Sequence, residues 1–92
     1  MAIAYILIKT VAGQERDLYY KFYYFPEVCE AYPLLGEYSL ILKIKADTQE
    51  DLGYIATDKI GTLENIVSML YLPALDSFAP HQRLEEPLKN VV

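Results

Sequence analysis

The side chains that could carry out chemistry in this sequence are few and scattered. The one histidine, His81, follows Pro80 in the C-terminal part of the chain, where a surface position is the simplest interpretation. The one cysteine, Cys29, has no histidine near it in sequence, which favours a packed small apolar side chain over a nucleophile. A single thiol also excludes an intrachain disulfide and indicates a reducing cytoplasm.

The acidic residues fall where helices are predicted to begin. Glu15, Asp17, Glu50 and Asp51 occupy predicted first turns, where the helix dipole and capping favour carboxylates. No histidine, cysteine or carboxylate cluster has metal-ligand spacing, and no glycine-rich phosphate loop is present. We therefore expect no catalytic residues, no metal and no cofactor, and we expect that the protein is not an enzyme.

Length and composition point to one small domain that associates with itself. The chain has 92 residues, of which 53% are hydrophobic, more than a domain of this size easily buries. Its net charge of −5 argues against direct binding to a nucleic-acid backbone. No stretch approaches the ~18–20 apolar residues of a membrane span, and the apolar N-terminus lacks the features of a signal peptide, so no membrane contact is expected.

Hydrophobic periodicity predicts four strands and two helices in the order β-α-β-β-α-β. The strands are predicted at 2–10, 28–35, 38–45 and 64–72, and the helices at 14–25 and 47–60. Gly36 and Glu37 are predicted to form a tight turn between the second and third strands. Residues 1–72 would form the domain, and 73–92 an extension that packs on its own or a neighbouring subunit.

This order predicts an α+β, ferredoxin-like fold with an antiparallel sheet in strand order 4-1-3-2. Pro33 places the second strand at an edge, and the helices would cover one face. The other face would present Ile3, Tyr5, Leu7 and Ile41, a patch that two copies would bury by pairing their sheets into a dimeric, barrel-like α/β assembly. The exposed side of the first helix, with Tyr19 and Tyr23, is a second predicted interface.

Several segments resemble the Lrp/AsnC effector-binding domain, also called the RAM domain. The run 35–40 (LGEYSL) resembles that family's Gly-x-Tyr/Phe-Asp turn, and 46–52 resembles its passage from strand to helix. The run 60–69 resembles the family's last crossover, and 4–16 resembles its first strand and helix start. Ser39 stands where the family pattern has an aspartate, so a ligand ammonium group lacks its charged partner at this position.

The resemblance implies a stand-alone effector-binding protein without the family's DNA-binding half. Such proteins pair through their sheets into homodimers, assemble further up to octamers, and bind an amino acid or related metabolite in clefts between dimers. The protein would then modulate transcription through a full-length Lrp/AsnC regulator. Carried over by position, the ligand-binding residues would be Gly36, Glu37, Tyr38, Ser39, Ser68, Met69 and Leu70.

Two other functions remain open on the sequence. Dimeric ferredoxin-like domains also form small monooxygenases and isomerases, in which case a pocket inside each subunit would be lined by Tyr5, Tyr23 or Tyr38. The protein could alternatively serve only in assembly, with the tyrosine-rich helix as its adhesive surface.

Overall fold

The computed structural model describes residues 1–75, so the predicted role of the C-terminal extension lies almost entirely outside the described residues. The described chain forms four strands and two helices in the predicted order. In sequence they are β1 (Ala2–Thr10), α1 (Glu15–Tyr23), β2 (Val28–Pro33), β3 (Leu40–Ala46), α2 (Gln49–Tyr54), which continues into a π-helical segment (Ile55–Ile60), and β4 (Ile66–Pro73).

The four strands form one antiparallel sheet in the order β2-β3-β1-β4, as predicted. In the centre of the sheet, Ile6 of β1 pairs with Leu42 of β3 on one side and with Tyr71 of β4 on the other. The ferredoxin-like fold is therefore confirmed. Pro33 lies in the edge strand β2, where its missing N–H removes no bond from the centre of the sheet.

The hydrophobic core lies between the sheet and the helices. Alternate residues of the two central strands face the helices and are fully buried, while Leu18 and Phe22 of α1 and Leu52 of α2 cover them. This face was predicted from the alternation of Leu40, Leu42 and Ile44 with their neighbours. The core contains only apolar side chains apart from Thr10, which is 7% exposed.

Helix α1 is shorter than the predicted 14–25, because it ends at Tyr23. Pro26 lacks an N–H, its ring would clash with the Phe22 carbonyl in a continuing helix, and it disfavours helical conformation at Phe25. The chain leaves the helix through a tight turn in which the Phe25 N–H donates to the Phe22 carbonyl at 3.0 Å.

Helix α2 begins as predicted but changes its winding halfway. The Thr48 hydroxyl accepts from the Asp51 N–H at 3.1 Å and caps the helix. The second half is a π-helix, closed by the Gly61 N–H donating to the Ala56 carbonyl at 2.8 Å. The Thr57 hydroxyl donates to the Gly53 carbonyl at 2.6 Å, and this side-chain bond competes with the regular helical ladder.

The β2–β3 connection and the pairing of β4 also differ from what the sequence predicts. The hairpin between β2 and β3 is wider than a tight turn, because β2 ends earlier and β3 begins later than predicted, which leaves 34–39 as the connection. In β4, a register shift opposite Lys9 and Thr10 pairs Ile66 with Thr10 on the core side, whereas uninterrupted alternation along the strand places Ile66 on the same face as Ser68. Such bulges arise from pairing between distant segments.

Candidate functional site

The connection between β2 and β3 holds four of the residues predicted to bind a ligand. Gly36 has a φ of +123°, a conformation that strongly favours glycine, and no atom lies within 4 Å of the position a Cβ would occupy. Glu37 is exposed and Tyr38 is half-buried. The turn therefore presents its backbone in open space, where a ligand can approach closely.

Ser39 fastens this turn to β1. Its N–H donates to the Ile8 carbonyl and its own carbonyl accepts from the Leu34 N–H, both at 2.8 Å. Its hydroxyl accepts from the Thr10 N–H at 3.3 Å and from the Thr10 hydroxyl at 3.1 Å. The Ser39 side chain thus takes the place of a backbone carbonyl at the end of the β1–β3 ladder. The pair of hydroxyls is neutral.

The predicted residues of β4 lie beyond β1 from the turn. Ser68 pairs with Lys9 of β1. Ser39 directly precedes Leu40, the first residue of β3, which pairs with Ile8 of β1. Since neighbouring strands lie about 4.8 Å apart, the backbones at Ser39 and Ser68 are about 10 Å apart, with β1 between them. Lys9, which the sequence reasoning did not select, is therefore the nearest cation on β1. The alternation of β1 already indicated that its side chain faces away from the core.

Met69 and Leu70 lie on opposite faces of the sheet. Met69 pairs with Ile8 and packs against the core, whereas Leu70 pairs with Leu7 on the face away from the helices. The structure therefore brings Ser68 and Leu70 to one face and removes Met69 from it.

Six large apolar side chains lie on the sheet face away from the helices. We call this face the open face and define it by the side chains Ile3, Tyr5, Leu7, Ile41, Leu70 and Leu72. Tyr5 of the central strand β1 is 39% exposed, and Leu70 and Leu72 of the edge strand β4 are 41% and 45% exposed, so the face leaves large apolar groups open to solvent. The β1 residues and Ile41 lie on this face, and their role as an interface stays a prediction.

A charged cluster borders the open face on the β2 side. Lys43 forms an ion pair with Glu30 at 3.3 Å, and the Tyr32 hydroxyl donates to Glu30 at 2.6 Å. The hydrogen bonds from Tyr32 and Lys43 lower the pKa of Glu30, and its carboxylate raises the pKa of both Tyr32 and Lys43. The negative charge of Glu30 and the positive charge of Lys43 therefore cancel, and both groups stay charged at physiological pH.

A second ion pair lies at the other end of β3. Lys59 donates to Glu27 at 2.6 Å and also lies over the Phe25 ring, 5.7 Å from its centroid. The hydrogen bond from Lys59 lowers the pKa of Glu27. This pair joins the π-helical segment to the start of β2, so its role is to hold the two elements together.

The remaining sequence candidates do not converge on a catalytic site. Tyr5 lies on the open face, Tyr23 is 74% exposed on α1, and Tyr38 is in the hairpin, so the three tyrosines of the enzyme hypothesis do not share a pocket. Tyr19 packs partly against the core. Cys29 is exposed rather than packed, because a register shift between Val28 and Glu30 takes it out of the ladder.

Within residues 1–75, no group of three or more histidine, cysteine or acidic side chains is placed to hold a metal ion. None of the helices in that range is long and apolar enough to span a membrane. His81 lies outside the described residues.

The described chain forms a βαββαβ domain with one sheet face that its helices leave uncovered and with a glycine turn hydrogen-bonded to the end of β1. The chain belongs to the Lrp/AsnC ligand binding domain family, whose model matches residues 3–84. It is 33% identical over 64 residues to the HTH-type transcriptional regulator FL11 of Pyrococcus furiosus and 30% identical to FL11 of Pyrococcus horikoshii. The chain spans 42% of the length of each of these curated relatives.

Solved structures agree with this assignment. The crystal structure of FFRP-DM1 is 41% identical, with a TM-score of 0.79 over 82% of this chain and 100% of that chain. Escherichia coli AsnC is 27% identical, with a TM-score of 0.78 over 90% of this chain and 55% of that chain. Membership of the family and its regulator relatives support a regulatory, effector-binding role.

Proposed function

We propose that this domain binds an amino acid or a related small metabolite at the hairpin 34–39, in a cleft completed by a second dimer. The observation that carries the proposal is the Gly36 turn, which is open to solvent and anchored by Ser39 to the end of β1. Backbone N–H groups at such a turn can approach a ligand carboxylate without hindrance from a side chain. Lys9 adds a positive charge on the neighbouring strand.

Two copies are proposed to pair through the open face. Isolated apolar side chains on a protein surface are ordinary, but a continuous patch in the centre of a sheet is typical of an interface. The Glu30–Lys43 pair borders this patch and presents both charges in one place, so two copies can meet there without a net repulsion. The proposed ligand clefts then lie at the rim of each dimer, where the hairpins are.

The regulatory effect is proposed to be indirect. The net charge of −5 does not favour contact with DNA phosphates. The domain would instead combine with a related full-length regulator, or compete with it for ligand. Native mass spectrometry of this chain mixed with a purified Lrp/AsnC-type regulator from the same organism tests this step. We expect mixed assemblies or ligand transfer between the two proteins. If neither is observed, the indirect mechanism has no support.

Ligand binding is tested by thermal-shift and equilibrium-dialysis measurements with amino acids at millimolar concentration. A ligand that binds only the folded protein stabilises it by about 2.7 kcal/mol at a hundredfold excess over its dissociation constant. We expect one or a few amino acids to raise the melting temperature. Absence of stabilisation by all of them, together with no retention in dialysis, would refute the proposal.

A pair of glycine variants locates the site. Gly36 and Gly13 both have positive φ, +123° and +88°, and both have open space at the Cβ position. Alanine therefore introduces similar backbone strain at each, but only Gly36 is in the proposed site. Gly36→Ala is expected to abolish the ligand-induced shift and Gly13→Ala to preserve it. Equal responses from the two variants would place the ligand elsewhere.

The Ser39→Asp variant tests how the ligand is recognised. It supplies the carboxylate that the family pattern has at this position, and its oxygens can still accept from Thr10. We expect tighter binding of ligands that carry an ammonium group and no gain for carboxylic acids that lack one. A gain of equal size for both ligand classes would contradict recognition of an ammonium at this position.

A further inference from the structure

The second half of helix α2 is wound as a π-helix rather than as an α-helix. The segment runs from Ile55 to Ile60, and the Gly61 N–H that closes it donates to the Ala56 carbonyl, five residues earlier, at 2.8 Å. Turns of this kind are rare in proteins, and where they occur they frequently lie at functional sites. The winding therefore needs a cause in this sequence.

A lysine in the apolar stripe of α2 supplies that cause. Leu52, Ile55 and Ala56 are buried and define the side of the helix that faces the core. In an α-helix each residue turns about 100°, so continued α winding would place Lys59 about 15° from the centre of this stripe and Ile60 about 90° from it. A charged amine would then point into an apolar core, which is costly without a partner.

The π turn exchanges the places of these two side chains. Because its hydrogen bonds join residues five apart, a π turn brings Ile60 to the same side of the segment as Ile55. Ile60 is fully buried, whereas the Lys59 side chain is 38% exposed. Its amine donates to Glu27 at 2.6 Å and lies over the Phe25 ring. The π winding thus keeps an isoleucine in the core and the lysine charge out of it.

Two threonine side chains support the change of winding. The Thr57 hydroxyl donates to the Gly53 carbonyl at 2.6 Å, and the Thr62 hydroxyl donates to the Asp58 carbonyl at 2.9 Å. Each hydroxyl reaches the carbonyl four residues earlier, which is the partner that a backbone N–H has in an α-helix. Such side-chain bonds compete with the α-helical ladder and favour its local opening.

We infer that the charge on Lys59 selects the winding of this segment, and that the segment takes α winding once that charge is removed. An apolar side chain at position 59 would fill the place in the core that Ile60 now holds, and cores tolerate exchanges that conserve volume. Nothing then offsets the cost of the π turn. This inference rests on the packing of α2 and does not depend on a ligand.

The winding also sets how the chain enters β4. The segment leads into the connection 61–65, whose last carbonyl accepts from the N–H of Val11 at 2.9 Å. Ile66 then pairs with Thr10, the residue to which the hairpin is anchored. A change of winding therefore acts on the end of the sheet that holds the hairpin, and the lysine charge is a conformational control of that end.

Crystal structures of the natural chain and of Lys59→Met test the inference directly. The readout is the acceptor of the Gly61 N–H, which should be the Ala56 carbonyl in the natural chain and the Thr57 carbonyl in the variant. Lys59→Arg keeps the cation and should keep the Ala56 acceptor. Lys43→Met is the matched control, because it breaks the ion pair that borders the open face and should leave the winding of α2 unchanged.

A thermodynamic cycle tests the same inference in solution. In the π winding a Cβ at position 61 would lie 2.8 Å from the Thr57 carbonyl oxygen, whereas an α-helix accommodates alanine well. Gly61→Ala is therefore expected to lower the folding equilibrium constant at least about fivefold in the natural chain and less than about twofold in Lys59→Met. Urea unfolding at one fixed protein concentration measures both changes.

Lys59→Leu repeats both measurements with a second apolar side chain. The inference is overturned if the natural chain bonds Gly61 to Thr57, if the apolar variants keep the Ala56 acceptor, or if Gly61→Ala costs the same in both backgrounds. Failure of both apolar variants to fold would also overturn it, because the segment would then have no second winding to adopt.

Discussion

Replacement of Ser39 by alanine removes a link that the structure places between β1 and β3. The Ser39 hydroxyl accepts from both the N–H and the hydroxyl of Thr10, and Thr10 is only 7% exposed. Each buried donor left without a partner costs about 1–3 kcal/mol. The hydrogen bond from the Thr10 N–H to the Ser39 hydroxyl is long, at 3.3 Å, and Ser39 itself is half-buried. The lower end of this energy range therefore applies to both donors. We therefore expect Ser39→Ala to lower the free energy of unfolding by about 2 kcal/mol.

Urea unfolding at one fixed protein concentration measures this change, since association would otherwise shift the midpoint. For a domain of this size, a loss of about 2 kcal/mol corresponds to a fall of about 8–16 °C in melting temperature. Ser68→Ala is the control, because Ser68 is an exposed strand serine whose side chain makes no hydrogen bond to another described residue. It should change stability by less than about 0.5 kcal/mol.

A double-mutant cycle assigns the loss to the Thr10 contact. Thr10→Val removes the donating hydroxyl but keeps the N–H and the shape of the side chain. Combined with Ser39→Ala, it should show a coupling of about 1 kcal/mol, because the second change finds the hydroxyl bond already lost. A Ser39→Ala variant as stable as Ser68→Ala, or a cycle without coupling, would refute the proposed anchoring of the hairpin.

Three other substitutions test separate parts of the structure. Gly61→Ala should destabilise the domain by about 1–3 kcal/mol in urea unfolding, because its Cβ would lie 2.8 Å from the Thr57 carbonyl oxygen. Gly53→Ala is the control, since its Cβ would meet no atom within 4 Å, and it should be neutral or stabilising. Equal effects of the two substitutions on stability would contradict the π-helical packing. Leu7→Asp places a charge in the open face and should give monomers by light scattering; an unchanged dimer would exclude pairing through that face. Glu27→Gln should remove part of the acid-induced loss of stability: the folded-state pKa of Glu27 is lowered by its lysine partner, so its contribution is present above the unfolded value of 4.5 and disappears as pH falls through the lower folded value. Unfolding midpoints measured between about pH 3 and pH 6 check this, and a variant with the same pH slope as the natural chain would show that the ion pair contributes nothing.

The sequence by itself determined the order of the elements and the sheet topology, together with the buried face of β3. Alternation in β3 predicted which of its residues enter the core, and the proline in β2 predicted the edge position. These features could be predicted because they depend on local spacing and on a few chain-connection rules that hold for all sheets. The Thr48 cap belongs to the same class, since its partner Asp51 is three residues away.

Only the tertiary structure decided how the candidate site is held and which of its residues act together. The Ser39–Thr10 contact joins positions 29 residues apart, and neither residue carries a local signal for the other. The shift in pairing beside Lys9 turned Ile66 toward the core, and pairing with β1 assigned Ser68 and Leu70 to the open face. Pairing register between distant segments depends on the whole sheet and its packing, so local patterns predict the turn but not the strand to which it is fastened.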